Sequence, residues 1–419
     1  MGPNQLARRL GTGDAVVLGL GSMIGAGVFV ALAPAARAAG TGLLLGLALA
    51  AVVAFCNATS SARLAARYPT SGGTYIYGRE RLGDFWGYLA GWGFVVGKTA
   101  SCAAMALAVV AYAAPGLDRP WRTLLAVAVV AAVTGLNYRG VHRSALATRA
   151  IVTITLLVLA GSVAAIVFAG NPDPGALGPF PGAGVGGVLE AAGLLFFAFA
   201  GYARIATLGE EVRDPRHTIP RAITLALGLT LLVYVVVAVA VLLQLGPVSL
   251  SAATDPVAEA VARTSWSGLA PVVRAGAALA AFGALLALVL GVSRTVLAMS
   301  RDAHLPTALA AVHPRFGVPH RAELAVGVVV ALLVAVADLR GAIGFSSFAV
   351  LTYYAIANAS ALTLRAQENP APLIVAVVGL AGCVLLALSL PTASVLTGAA
   401  VLAAGALSWV VRGRVARKT

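Results

Sequence analysis

The chain has 419 residues, 60% hydrophobic and only 11% charged, with a mean hydropathy of +0.94. A soluble domain carries roughly a quarter charged residues, so this chain lacks the polar surface a water-soluble fold needs, and a lipid bilayer is its natural solvent. The net charge of +14 is spread through short breaks between apolar runs, which excludes the basic patch or arm of a nucleic-acid binder and matches the way topology is encoded in membrane proteins.

In chain order, the apolar runs predict twelve transmembrane helices near 14–37, 41–66, 84–114, 121–137, 147–169, 188–209, 219–246, 268–299, 322–338, 342–365, 371–389 and 392–411, because a helix needs about 20 apolar residues to cross. Arg8 and Arg9, ahead of a first run that ends near Ala31, Ala33 and Pro34, mimic a signal peptide. That run is Gly-rich, long enough to span and followed by many more, so it reads as a retained first helix. The ninth and tenth runs are parted between Asp338 and Gly344 by Asp, Arg and two Gly. Cys56, Cys102 and Cys383 lie inside apolar runs; an odd, scattered set gives no disulfide framework and no metal spacing.

Of the 29 Lys and Arg, 21 fall on one side of these spans, six on the other (Arg37, Arg119, Arg122, Arg263, Arg274 and Arg340), and two, Lys98 and Arg204, inside spans. The positive-inside rule predicts a multi-pass cell-membrane protein with the rich side and both termini cytoplasmic. The outer 171–187 loop carries Pro172, Pro174, Pro181 and no basic residue.

Two spans are interrupted. The first reads Gly19-Leu20-Gly21-Ser22-Met23-Ile24-Gly25-Ala26-Gly27-Val28-Phe29, and the sixth reads Phe196-Phe197-Ala198-Phe199-Ala200-Gly201-Tyr202-Ala203-Arg204. Backbone polar groups in lipid must be satisfied, so irregular backbone is tolerated only beside a protected cavity. Alone, Gly21 and Gly25 form a GxxxG packing motif. Paired with the sixth-span break they point further. The two breaks correspond if 14–169 and 188–365 are five-helix repeats, with 371–411 adding two helices to one membrane domain, and paired breaks mark an inverted-repeat transporter with its site at the midplane.

Four ordered stretches carry a family resemblance. Gly21 to Phe29 is similar to the first-helix motif of the amino acid–polyamine–organocation (APC) transporter superfamily. Tyr68-Pro69-Thr70-Ser71-Gly72-Gly73-Thr74-Tyr75-Ile76-Tyr77 resembles the loop after its second helix. Phe196 to Gly201, Glu210-Glu211-Val212-Arg213-Asp214-Pro215 and Ile219-Pro220-Arg221 resemble the sixth helix and its exit. Ser293-Arg294, Met299-Ser300-Arg301-Asp302 and Leu305-Pro306 resemble the end of the eighth. The resemblance implies an all-α membrane protein of the leucine-transporter fold, with two inverted five-helix repeats, broken helices 1 and 6, and two C-terminal helices. It implies a secondary active transporter of amino acids or related small amines working by alternating access, with no cofactor, no metal and no catalytic residue.

It also implies how a zwitterion is held. The N–H groups of Gly25, Ala26 and Gly27 would meet the substrate carboxylate at the start of a half-helix. Carbonyls around Met23, Ile24, Phe199 and Ala200 would take the ammonium, while Phe197, Gly201 and Tyr202 would shape or gate the pocket. Lys98 and Arg204 are coupling candidates, because charge at membrane depth is costly and faces a cavity, a partner or an ion path; Arg204 has Glu210 and Glu211 about two turns away as partners. Some relatives carry a lysine in helix five where a sodium ion would sit, and Thr155 stands at about that place here. The stretch Phe282 to Gly291 has no hydroxyl residue for a sodium site. Proton coupling is therefore expected, with a sodium-independent exchanger and a non-transporting amino acid sensor as alternatives. A channel would favour one short pore repeat in a symmetric oligomer. No phosphate-binding loop, His-x-x-x-His pair or buried carboxylate dyad points to an enzyme, and His142, His217, His304, His313 and His320 fall in loops.

Overall fold

The computed structural model describes residues 10–68, 72–139, 145–178, 183–202, 205, 212–368 and 371–416. Among them every regular element is helical, apart from one isolated bridge between Leu10 and Val212. The helices are α1 (Thr12–Met23), α2 (Gly27–Val30), α3 (Leu32–Ala39), α4 (Leu43–Arg67), α5 (Thr74–Leu82), α6 (Asp84–Ala113), α7 (Arg119–Tyr138), α8 (Ala145–Ala169), α9 (Val185–Phe199), α10 (Pro215–Ala252), α11 (Pro256–Ala262), α12 (Ala270–Arg301), α13 (His320–Val336), α14 (Leu339–Leu362), α15 (Leu373–Leu388) and α16 (Thr392–Ala416).

Ten helical segments of the described residues are long and apolar enough to cross a membrane. The expected ninth and eleventh spans appear as the shorter helices His320–Val336 and Leu373–Leu388. Each predicted run coincides with a helix to within a few residues, except the first, which is divided among α1, α2 and α3, and the sixth. There α9 stops at Phe199 and a single 3-10 turn, Ala200–Tyr202, follows; Ala203, Arg204 and Glu210 lie outside the described residues.

Local chemistry sets the ends. The Asp14 carboxylate accepts from the Gly11 N–H at 3.1 Å and from Arg149, fixing the start of α1 against α8. Asp338 starts α14 by accepting from the Gly341 N–H at 3.1 Å, a cap for an otherwise orphan donor. The short α5 joins α6 through Gly83, whose φ of 102° suits a residue without a side chain. Hydropathy had not marked α5, because TYIYGRERL mixes aromatic and charged residues.

Helix α6 forms the axis, packed against α14 and α12. Small residues allow this: a Cβ on Gly97 would lie 2.9 Å from that of Ala349 in α14. Close approach of small residues, not hydrophobic exclusion, is what holds helices together in lipid. A buried polar knot adds to it, with Asn358 donating to Asn57 at 2.6 Å and the Cys383 thiol to the same oxygen at 3.3 Å, joining α14, α4 and α15. Cys383 is thereby part of the packing.

Candidate functional site

The two breaks meet. After Met23 the chain leaves the helix; Ile24 still donates to the Leu20 carbonyl at 2.6 Å, but Gly25 and Ala26 are irregular before α2 begins at Gly27. The N–H groups of Gly25, Ala26, Gly27 and Val28 reach no backbone acceptor among the described residues. Opposite them, Gly201 of the second break lies flat on the chain at Ser22 and Met23: a Cβ there would sit 2.7 Å from the Met23 nitrogen and closer still to the Ser22 carbonyl. Only glycine permits that contact between backbones. Gly27 and Gly25 are pressed as hard, with their would-be Cβ atoms 2.7 Å from Ala198 and Ala284. Packing alone therefore accounts for both glycines.

Interrupting a helix frees carbonyls, and neighbouring helices supply donors to them. The Tyr234 hydroxyl of α10 lies 2.6 Å from the Met23 carbonyl and 3.0 Å from that of Ala198, bridging the two broken helices. The Tyr112 hydroxyl of α6 donates to Phe29 at 2.7 Å. Lys98 Nζ donates to the Ala200 carbonyl at 3.1 Å, and the Tyr354 hydroxyl of α14 approaches the same oxygen at 3.4 Å. Aromatic rings pack around these bonds: Tyr202 stacks on Tyr354 at 5.0 Å, and Phe199 meets Tyr234 edge-on at 5.2 Å. Two of the carbonyls expected to receive a substrate ammonium, those of Met23 and Ala200, are thus already engaged by protein donors.

Beside the breaks is a cavity of about 200 Å³, smaller than the roughly 300–1,000 Å³ of a drug-sized pocket. Phe94, Lys98, Ser101 and Met105 line it from one face of α6, at the i, i+4, i+7, i+11 spacing of a helical stripe. Ser22, Phe197, Ala200 and Gly201 supply the broken-helix wall, α12 supplies Ala284, Leu288 and Gly291, and α14 supplies Tyr353. The cavity extends past Arg294, Thr295 and Ala298 toward Gly72 and Tyr75 at the arginine-rich end.

Of the residues expected from the sequence, Lys98, Phe197, Ala200 and Gly201 come together on the cavity wall. Met23, Ile24, Gly25, Ala26, Gly27, Phe199 and Tyr202 are buried behind it. Thr155 is away from it, fully buried in α8 with its hydroxyl donating to the Ile151 carbonyl at 2.8 Å. Arg204 lies outside the described residues. Sequence reasoning passed over Tyr234, Tyr354 and Tyr112, whose signal is a hydroxyl inside an apolar run. It also passed over Glu323 of α13, which is 0% exposed and accepts from the Ser293 hydroxyl at 2.7 Å.

At the arginine-rich end, α5 is tied to the exit of α12. The Tyr75 hydroxyl contacts Asp302 and lies 2.8 Å from His304 Nδ1, while Arg79 pairs with Asp302 at 3.1 Å. Burial among Tyr75, Tyr88 and Trp409 lowers the His304 pKa, against the opposing pull of Asp302. Glu368, held by Arg81, by the Arg365 N–H and by Arg67, has its carboxyl pulled down to about 2.

The profile of the amino acid permease family matches residues 14–397. An uncharacterized transporter of Mycobacterium tuberculosis is 65% identical over 416 residues, covering 99% of this chain and 94% of its own. The branched-chain amino acid permease of Bacillus subtilis is 29% identical over 88% of this chain and 84% of its own. The human cationic amino acid transporter 4 is also 29% identical, over 88% of this chain but 61% of its own. With its interrupted first and sixth spans closing on a cavity between all-helical walls, the chain belongs to the amino acid permease family of the APC superfamily and is a multi-pass membrane transporter, not an enzyme.

Proposed function

We propose that the protein carries amino acids or related small amines across the cell membrane by alternating access, with a proton as the coupling ion and the arginine-rich end in the cytoplasm. The observation that carries this reading is the contact of Gly201 with Ser22 and Met23, which puts two broken helices side by side on one cavity wall. Backbone irregularity at membrane depth persists only where it is buried in protein or lines a cavity, and paired broken helices mark transporter sites. The family match and the two relatives named for amino acids support the substrate class. Those two differ in the amino acid they are named for, so kinship alone does not choose the side chain.

In this reading residues 14–169 and 188–365 are the two inverted repeats, and the structure is an inward-facing state. The cavity reaches Arg294, Gly72 and Tyr75 on the arginine-rich side. Toward the other side Phe29 and Tyr112, each 1% exposed, close ring edge on ring face at 5.6 Å. The free N–H groups at Gly25 to Gly27 would hold the carboxylate from behind the wall once a small rotation exposes them. Lys98 is the coupling residue, the one lysine on the cavity wall among the described residues.

Purified protein in liposomes tests this. Uptake of a radiolabelled amino acid mixture should survive replacement of sodium by choline and should rise with an inward proton gradient. A strict sodium requirement would overturn the coupling, and uptake only into liposomes preloaded with amino acid would replace it with obligatory exchange.

A further inference from the structure

We propose that the substrate is an amino acid with an acidic side chain, its second carboxylate held by the Lys98 ammonium inside the cavity. This rests on the transport reading above and adds the substrate class to it.

The first observation is the state of Lys98. It is 5% exposed and lines the cavity. Its one hydrogen bond among the described residues runs to the Ala200 carbonyl at 3.1 Å, and an ammonium has three donors. No carboxylate lies within ion-pair distance of it among the described residues. A charge in a span faces the bundle interior or a cavity and pairs with another charge or with a backbone carbonyl; Lys98 has the carbonyl and, among the described residues, no acid. Its two remaining donors are a built receptor for an anion brought from outside, and the bond to Ala200 aims them.

The second observation is the sign of the whole wall. The other charged residue lining the cavity is Arg294, and no Asp or Glu lines it among the described residues. A cationic side chain would enter a site with two like charges and no carboxylate on its wall, since Glu323, which interacts with Arg294, is fully buried off the lining. A neutral one would leave Lys98 as it is. An acidic one completes the lysine.

The third observation is independent of the cavity. At the opposite end of the molecule lies a vestibule of about 640 Å³ whose walls carry Arg37, Arg119, Arg122 and Arg340, against a single carboxylate, Asp338. Arg340 is paired with Glu190 at 2.8 Å, and Asp338 is turned to the Gly341 N–H. Among the described residues Arg37 meets the Ser251 carbonyl at 3.0 Å and has no ion pair, and neither have Arg119 and Arg122. The other two outer arginines, Arg263 and Arg274, are neutralised by Glu259 and Asp255. Three arginines without an ion pair among the described residues, Arg37, Arg119 and Arg122, therefore line one opening, and a cleft in which one sign of charge predominates gathers ligands of the other. Val30 of its lining follows Phe29 of the Phe29–Tyr112 seal in the chain, and Leu107 belongs to α6, whose Phe94, Lys98, Ser101 and Met105 line the cavity.

The experiment compares L-glutamate and L-aspartate with L-glutamine, L-leucine and L-arginine, by equilibrium binding to detergent-purified protein and by uptake into liposomes. Glutamate and aspartate should bind at least ten times more tightly than glutamine, their neutral analogue, and arginine should not compete. Lys98→Met should erase the preference of glutamate over glutamine, while Lys98→Arg should keep part of it. Arg119→Gln with Arg122→Gln should raise the KM for glutamate uptake several-fold at low salt, leave the maximal rate unchanged, and lose that effect at high salt. Binding of leucine or arginine without glutamate overturns the acidic class and leaves amino acid transport standing. Failure of all five to bind or enter removes both. A folded Lys98→Met protein that still prefers glutamate overturns the role of Lys98; if that variant does not fold, the wild-type selectivity and the vestibule variant decide.

Discussion

The ammonium of Lys98 lies 3.1 Å from the carbonyl oxygen of Ala200, the first residue beyond the end of the sixth spanning helix. A charged group on a continuous helix thus replaces a hydrogen-bond donor that the broken helix has lost. Burying such a charge at mid-span costs about 2.5–3.5 kcal/mol, whereas one interhelical hydrogen bond in a membrane returns about 0.6 kcal/mol. The bond does not offset the charge, so the lysine is kept for use.

That imbalance gives a signed prediction. Lys98→Met removes the larger cost and the smaller gain, so the variant should melt higher than wild type while transport falls at least tenfold and its pH dependence flattens. A lysine that served only as a strut would give a lower melting temperature and an unchanged pH profile in the protein that survives. Thermal melts and uptake between pH 5 and 8 separate the two.

Tyr234→Phe leaves the ring against Phe199 and takes away only the hydroxyl. The Met23 and Ala198 carbonyls then lose the Tyr234 donor that both share. A loss of ~0.6–1.7 kcal/mol is expected, read as a melting temperature lower by a few degrees, with a larger fall in uptake than in stability because both broken helices loosen together.

Gly201→Ala puts a methyl into the backbone of Ser22 and Met23, and no side-chain movement relieves it. Correctly folded protein should be nearly absent on size-exclusion chromatography. Gly228→Ala in α10 is the matched control, since nothing lies within 4 Å of its would-be Cβ; it should fold and transport normally. Gly27→Val, a natural choice for testing carboxylate binding, should fail to fold as Gly201→Ala does, because of Ala198.

Acid should release the segment after α14. The carboxyl of Glu368 falls from its ordinary 4.5 to about 2 in the fold, chiefly through Arg81. A depressed pKa means the ion pair stabilises the fold fully above pH 4.5 and ceases to as pH falls through about 2. Melting temperature measured across that window should drop, and Glu368→Gln should lower the neutral-pH value while flattening the acid limb.

The spans were legible because each is a long apolar run, and the breaks because Gly-rich stretches interrupt two of them. Lys98 was legible as a charge where lipid forbids one. Its acceptor was not, since Ala200 lies 102 residues away. The tyrosines at 112, 234 and 354 read in sequence as bulky packing residues, and nothing local says that each aims its hydroxyl at a freed carbonyl. Arg37, Arg119, Arg122 and Arg340 were counted as markers of topology. Their convergence on one vestibule comes from helix ends contributed by α3, α7 and α14, a relation no linear pattern holds. The short α5 escaped because a nine-residue helix of mixed character gives hydropathy no signal.

Tyr234 touches both broken helices through a single hydroxyl proton. One proton shared between two acceptors works as a linchpin: the first and sixth spans cannot tilt apart without one of them losing its share. The pair should therefore swing as a single lever with α10 attached, against a stationary post made of α6 and α14. Distances from spin labels within the lever should stay constant through the cycle while those from lever to post change, and a cross-link between α10 and α1 should be harmless where one between α10 and α6 arrests transport.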